Sequence, residues 1–314
     1  MTKIAKAFAP AGISSFFEIC DRTGDGKPIV DLEHVGSRGG GFGVQKGVLT
    51  EVSVSEAKKS SVSVFINGKF APEAETTRTV ANILLNEADK PFDFTISHKI
   101  DVPVGAGFGT SAGGALTTGL ALSEALDLHL TFNQIGRIAH VAEVQCKTGL
   151  GTVGPLMLGG CAITVEPGAP GISIIDRLPL TDEYVIVAGV FGATPTKQVL
   201  SSAEKRREVN RYGRRTLEAI LAEPSVENFM ACCLDFAQKA GFMTGRVRRL
   251  AELAEKAGAV GVAQNMVGEA VHALVLEENA GEITEAFKLM LPNEKIIVTK
   301  IDFQGARLVS HEEV

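Results

Sequence analysis

The stretch VPVGAGFGTSAGGALTTGLALSEAL, residues 102–126, decides the fold. Glycine recurs at 105, 107 and 109, a Thr110-Ser111 pair follows, and an apolar run at helical spacing begins there. Glycine this dense weakens any strand or helix that holds it. What it gives in return is access, since a backbone without Cβ atoms can turn several N–H groups toward one point. A strand before the loop and a helix after it complete the layout of an anion site. The first-turn amides of a helix lack intrahelical partners, and the helix dipole places partial positive charge beside them. At the helix start, the Thr110 and Ser111 hydroxyls are placed to cap the helix or to ligate a magnesium ion. Two familiar phosphate loops do not fit: GxxxxGK[ST] needs a lysine that does not follow Gly109, and GxGxxG needs a different glycine spacing. Taken alone, the loop reads as a phosphate site or a glycine-rich packing turn, and it names no nucleotide.

Upstream of the loop the chain alternates apolar and polar residues. KIAKAFAPAG, GISSFFEICD, GVLTEVSVSE, SVSVFINGK and FDFTISHKIDVPVG read as strands, with RTGDGKP and GSRGGGFG as turns and NGK as a hairpin signal. Downstream the pattern becomes helical over 111–126 and over 131–146, where Thr131 is a natural N-cap. GGCAITVEPG returns to strand, and EPGAPG (166–171) is the best linker candidate because it breaks every periodicity. Beyond it come the strand EYVIVAGVFG, helices near 201–221, 225–240, 245–257 and 265–279, and a last strand, KIIVTKIDF. The expectation is an α+β protein of two lobes, one over 1–175 that holds the glycine loop and a second over 176–314.

Composition narrows the class. A formal net charge of −6 argues against a chain-wide nucleic-acid footprint. Five cysteines without a CxxC pair or ligand spacing to the histidines read as reduced, structural thiols. No apolar run has signal-peptide or membrane-spanning length, so the expected location is the cytoplasm, with no membrane partner. A homodimer is the default expectation for assembly.

PVGAGFGTSAGG resembles the central PxxxGLGSSA loop of the GHMP kinase superfamily. AFAPAGISSFFEI (7–19) resembles that group's N-terminal substrate motif, and AEVQCKTGLGTVGPLMLGG (142–160) stands where its third segment falls. Within the superfamily the archaeal pantoate kinases show SSFF or SGFF, GSRGAG and TGLGDV in this order. Here the segments are SSFF (14–17), GSRGGG (36–41) and TGLGTV (148–153), so the resemblance spans nearly the whole chain. It implies the two-lobed GHMP fold, with an N-terminal lobe like ribosomal protein S5 domain 2 and a ferredoxin-like C-terminal lobe. It also implies ATP- and Mg²⁺-dependent phosphorylation of pantoate on the route to coenzyme A.

Roles follow from that resemblance and from the chemistry of phosphoryl transfer, which rests on positioning and charge neutralisation. Gly105, Ala106, Gly107, Phe108, Gly109, Thr110 and Ser111 would hold the triphosphate. Ser111 and Glu143 would hold Mg²⁺; the alternative for Glu143 is a solvated helix carboxylate. Thr152 stands where TGLGDV has aspartate, the superfamily's catalytic base, and a threonine cannot take a proton at neutral pH. Pantoate carries a carboxylate and two hydroxyls. Arg38, a lone cation among glycines, is the carboxylate candidate, against the reading of an exposed turn arginine. Ser14, Ser15 and Ser37 would read the hydroxyls, and Lys197, with Thr194 and Thr196, would close from the second lobe or lie on the surface. EKRREVNRYGRR (204–215) reads as a solvated face. AGAVGVAQNMVGEA (257–270) is the candidate for a further ATP-site loop, with Gln264 and Asn265 the residues in question. His140 reads as a satisfied core histidine. The alternatives are another GHMP-type kinase, of the homoserine or mevalonate class, and a nucleotide-binding relative without catalysis. An NAD-dependent enzyme fits poorly, because several strands precede the glycine loop.

Overall fold

The structure, a computed structural model, describes residues 2–88, 90–193 and 202–310. Its frame is one long antiparallel pair. Strand β1 (Lys3–Cys20) runs against β2 (Gly36–Glu56) in register from Lys3↔Val54 to Cys20↔Gly36. Around it lie β3 (Ser61–Ile66), β4 (Lys69–Phe70), β5 (Phe92–Ile100), β6 (Cys161–Glu166), β7 (Ile174–Leu178) and the C-terminal β12 (Arg307–Val309), in the order β12-β1-β2-β5-β3-β4. The two ends of β2 face different neighbours: β5 pairs with Val48–Glu56, and β6 with Gly39–Phe42. Helices α1 (Glu75–Asn86), α2 (Thr110–Leu126), α3 (Phe132–Cys146) and α4 (Val153–Leu158) pack on this sheet. Their buried Val80, Leu84, Leu116 and Ile135 share a core with Val52, Val64, Phe94 and Ile96 of the strands.

A second sheet has the order β11-β8-β10-β9, from β8 (Tyr184–Ala193), β9 (Gly261–Gln264), β10 (Gly268–Leu276) and β11 (Ile296–Lys300). On one face lie α7 (Gly245–Lys256) and α8 (Ala280–Lys288). Helices α5 (Ala203–Ala222) and α6 (Val226–Lys239) fill the other face and reach the first sheet as well. Phe229 of α6 meets Phe16 at 6.1 Å and Phe42 at 5.6 Å in edge-to-face contacts, so one apolar core spans both sheets. Among the described residues, no helix is long and apolar enough to cross a membrane.

Three expectations are corrected, and a fourth in part. The expected helix at 265–279 is the strand β10, which is buried along nearly its whole length. A strand covered on both faces reads as a continuous apolar run, which periodicity does not separate from a buried helix. The expected turn GSRGGG is the start of β2, and its glycines mark close strand approach: a Cβ on Gly41 would meet the Ile13 carbonyl, whose carbon is 2.8 Å away. EPGAPG joins β6 to β7 of one sheet, and the chain crosses to the second sheet only between Leu178 and Tyr184. The basic stretch of α5 is a solvated face at Arg207, Glu208, Arg211 and Arg215, as expected, but other residues of it are tied to the first sheet. Arg206 pairs with Asp21 at 2.6 Å, Arg214 with Glu18 at 2.9 Å, and Asn210 makes two 2.9 Å bonds to the backbone of Ile19. Hydrogen bonding also places β12 in the first sheet, beside Lys6–Phe8.

Candidate active site

The glycine loop has the backbone that its composition calls for. Gly105, Gly107 and Gly109 have φ of +78°, +80° and +57°, a region in which other L residues are strained. Between them, Ala106 and Phe108 are buried, and Gly12 N–H donates to the Phe108 carbonyl at 3.0 Å, which stitches the loop to β1. Gly109 is the N-cap of α2 and offers no side-chain cap, so the first-turn amides of a 17-residue helix stay open. A buried polar cluster beneath the helix fixes its pose. Thr50 and Thr77 bond the two ring nitrogens of His98 at 2.7 and 3.0 Å, and Thr50 meets Thr117 of α2 at 2.5 Å. Burial holds the His98 pKa down at about 4, so the ring stays neutral.

Glu143, on α3, points to the mouth of this loop. The residue is 2% exposed, and burial pushes its pKa up, while the hydroxyls of Ser111 and Thr148 act the other way as hydrogen-bond donors. The Thr148 hydroxyl donates to Oε1 at 2.9 Å. Among the described residues no cationic side chain forms an ion pair with Glu143. A buried carboxylate and a hydroxyl without a counter-charge, beside open helix amides, are a hard-oxygen donor set that fits Mg²⁺. The solvated-carboxylate alternative for Glu143 is therefore excluded by its burial.

Against the loop lies an open cleft between β1, the glycine run of β2 and the start of α4. Ser14, Ser37, Thr152 and Thr164 give it hydroxyls, while Ile13, Phe16, Phe17, Pro155 and Leu156 give it apolar walls. Thr152 and Gly12 line the cleft and also touch the loop. A Cβ built on Gly109 would lie 2.8 Å from Thr152 Cγ2 and 3.2 Å from the Gly12 carbonyl oxygen.

Two expected substrate residues fall elsewhere. Ser15 is the extra residue of a β-bulge between Ser14 and Phe16, and the bulge turns its side chain away from the cleft. Its Oγ is buried and bonds His272 Nε2 at 3.0 Å. Arg38 is neither alone nor in the cleft lining: its Nη2 lies 3.0 Å from Oε2 of the buried Glu18, whose other oxygen Arg214 holds. Opposite positions on β1 and β2 account for that pair, since Glu18 and Arg38 are register partners. Lys197, with Thr194 and Thr196, lies outside the described residues. His140 donates from Nε2 to the Val35 carbonyl at 2.8 Å in the core.

The turn between β9 and β10 packs against the glycine loop and β1. Asn265 accepts from His272 Nδ1 at 3.0 Å, Met266 N–H donates to the Ser14 carbonyl at 2.7 Å, and a Cβ on Gly107 would come within 3.0 Å of Asn265 Cβ. His272 is fully buried, with its pKa pushed down to about 3, and as a neutral ring it bridges Ser15 to Asn265. Thr148 and Thr164 were not singled out by sequence. Thr148 stood inside the TGLG segment, which was the available signal, whereas Thr164 sits in an ordinary strand pattern.

Residues 75–160, which hold the loop, Ser111, Glu143 and Thr152, match the GHMP kinases N terminal domain. The pantoate kinase of Thermococcus kodakarensis is 34% identical over 286 residues, which cover 88% of this chain and 89% of that protein. The pantoate kinase of Methanocaldococcus jannaschii is 28% identical, with 90% and 96% covered. A solved phosphotransferase related to the CoA biosynthesis pathway superposes with a TM-score of 0.87 at 30% identity, over 98% of this chain and 99% of its own. Mevalonate diphosphate decarboxylase from Staphylococcus aureus shares the fold at a TM-score of 0.73 and 17% identity.

Proposed function

This chain belongs to the GHMP kinases, with pantoate kinases among its relatives, and we propose that it transfers the γ-phosphoryl group of ATP to the primary hydroxyl of (R)-pantoate. The product is 4-phosphopantoate, an intermediate on the route to coenzyme A. One adjacency carries this reading. Gly109 heads the helix that receives the phosphates and is packed against Thr152 and Gly12 of the cleft. A triphosphate seated on the loop therefore ends where an acceptor in the cleft begins.

The chemistry divides among these residues. The loop amides and the first turn of α2 hold the phosphate oxygens. Ser111 and Glu143 would hold Mg²⁺, which supplies charge neutralisation at the β- and γ-phosphates. The apolar walls suit pantoate's dimethyl carbon, and Ser14, Ser37, Thr152 and Thr164 suit its hydroxyls and carboxylate oxygens. As the acceptor oxygen bonds phosphorus, the bond to the β-phosphate oxygen breaks, and the acceptor's proton leaves to water or to a phosphate oxygen. No carboxylate, histidine, lysine or arginine is among the described residues that line the cleft. Thr152 orients the attacking hydroxyl by a hydrogen bond without accepting its proton.

Thr152 also favours a second reading, nucleotide binding without transfer. The deciding experiment is ADP release from purified protein with Mg-ATP and (R)-pantoate, mevalonate, homoserine or no acceptor. Release that depends on pantoate supports the proposal. Release with another acceptor reassigns the substrate, and tight ATP binding without any release supports the second reading.

A further inference from the structure

A buried carboxylate stays ionised and fixed only if donors hold it. Glu143 has the Ser111 hydroxyl as one donor and the Thr148 hydroxyl, at 2.9 Å from Oε1, as the other. Thr148 has a second neighbour, since its Oγ1 lies 2.9 Å from Thr76 Oγ1. A hydroxyl carries a single hydrogen. Thr148 gives its own to the carboxylate, so Thr76 must be the donor in their contact. The proton order is thereby set: Thr76 to Thr148, Thr148 to Glu143.

The surroundings support a device aimed at this carboxylate. Thr76 is 5% exposed in the first turn of α1, yet it caps nothing, because the N-cap of α1 is Ala74 and no side-chain cap is made. Its hydroxyl is spent on Thr148. Thr148 follows the C-cap of α3, and its backbone N–H donates to the Glu143 carbonyl at 3.0 Å. One residue thus fixes Glu143 through both backbone and side chain. Next to it, Gly149 leaves the space that the carboxylate fills, for a Cβ there would lie 2.9 Å from Glu143 Cδ.

We propose that Thr148, backed by Thr76, is a positioning residue that orients the Glu143 carboxylate, with Ser111, toward a divalent cation at the mouth of the glycine loop. The proposal rests on the reading of Glu143 as a cation ligand. Donors behind a ligating carboxylate change metal affinity by about 10–100-fold when removed.

The test is Mn²⁺ binding, followed by electron paramagnetic resonance in the presence of a non-hydrolysable ATP analogue, with melting temperature recorded for each variant. Thr148→Val keeps the shape and removes the hydroxyl. It is expected to weaken Mn²⁺ binding about 10-fold, while Thr148→Ser stays within about twofold of the parent protein and Thr76→Val loses roughly two- to threefold. A purely structural role would lower melting temperatures and leave Mn²⁺ affinity alone. Glu143→Gln separates the two layers. If it weakens Mn²⁺ binding and Thr148→Val does not, the positioning role is overturned and the ligand reading stands. If Glu143→Gln binds Mn²⁺ like the parent, both fall. Failure of serine to restore the affinity lost in Thr148→Val also overturns the proposal, because shape rather than the hydroxyl would then be responsible.

Discussion

Replacing Gly149 by alanine perturbs the candidate cation site through one added carbon. The position has no positive φ, so the backbone accepts alanine without strain. The new Cβ would stand 2.9 Å from Glu143 Cδ and closer still to Oε2. Ordinary carbon contacts begin near ~3.4–3.5 Å, so the carboxylate carbon must retreat by about 0.5 Å and the oxygen by roughly 1 Å. The obstacle is the free end of a side chain, which moves more readily than backbone. Moving it stretches the 2.9 Å bond from Thr148 and shifts the donor set at Ser111. A misplacement of about 1 Å in a phosphoryl-transfer site costs on the order of 10²-fold in rate. The stability cost should stay near 1–2 kcal/mol, the worth of one weakened charge-assisted bond. The assay is steady-state ADP release over a Mg²⁺ series, paired with urea unfolding. Loss of rate with a raised Mg²⁺ requirement and a nearly intact fold is expected. A Gly149→Ala enzyme with parental kcat and Mg²⁺ dependence would refute the placement of Glu143 at the reacting phosphates.

Three further outcomes are expected. Thr152→Asp puts a carboxylate where the cleft meets the loop; since a positioned base is worth about 10²–10⁴-fold, kcat should rise at least ~10-fold, and an unchanged kcat in the ADP assay would show that proton removal is not limiting. His272→Phe leaves the buried Ser15 and Asn265 without their shared partner, at about 1–3 kcal/mol for each orphaned group; a urea midpoint equal to the parent's refutes the bridge. Burial holds the pKa of His98 at about 4 and that of His272 at about 3, below the ordinary histidine value of 6.5. Their stability contribution is therefore whole above pH ~6.5 and is lost as pH falls toward 4 and then 3, by about 1.4 kcal/mol per pH unit for each histidine at most. Urea midpoints that stay flat from pH 7 to pH 5 would contradict it.

Sequence disclosed what depends on local chemistry. The glycine spacing, the Thr-Ser pair and the helix that follows are contiguous, and they fold as one unit at 105–126. Glu143 and Thr152 became candidates because their segments keep a recognisable order along the chain. What stayed hidden was set by partners far away in sequence. Nothing near Arg38 announces that Glu18 stands opposite it on β1 or that Arg214 arrives from α5. Ser14 and Ser15 are indistinguishable in SSFF; a bulge, which depends on the pairing with β2, sends one to the cleft and the other to His272. For β10, burial on both faces erased the period that would have marked it as a strand. Helix α1 went unseen because its threonines are weak helix formers, and their inward hydrogen bonds to His98, Cys146 and Thr148 appear only in the folded chain.

The threonine at 152 is the clearest departure from the family pattern, and magnitudes decide how much it matters. A positioned general base is worth about 10²–10⁴-fold, or roughly 2.7–5.4 kcal/mol of barrier. Holding two reactants in line is worth more, about 7–11 kcal/mol, and preorganised donors on the phosphates add to that. In a loose transition state the acceptor oxygen has formed little bond to phosphorus, so its proton becomes acidic late and a base contributes toward the low end of that range. Under the proposed function, the larger share of the catalysis would therefore lie with groups this chain retains: the open first turn of α2, the Ser111–Glu143 pair, and a cleft that abuts the loop at Gly109. Removing the base from such a site lowers a rate without dismantling the machinery that produces it. That is why the intact loop, rather than Thr152, governs the assignment of activity.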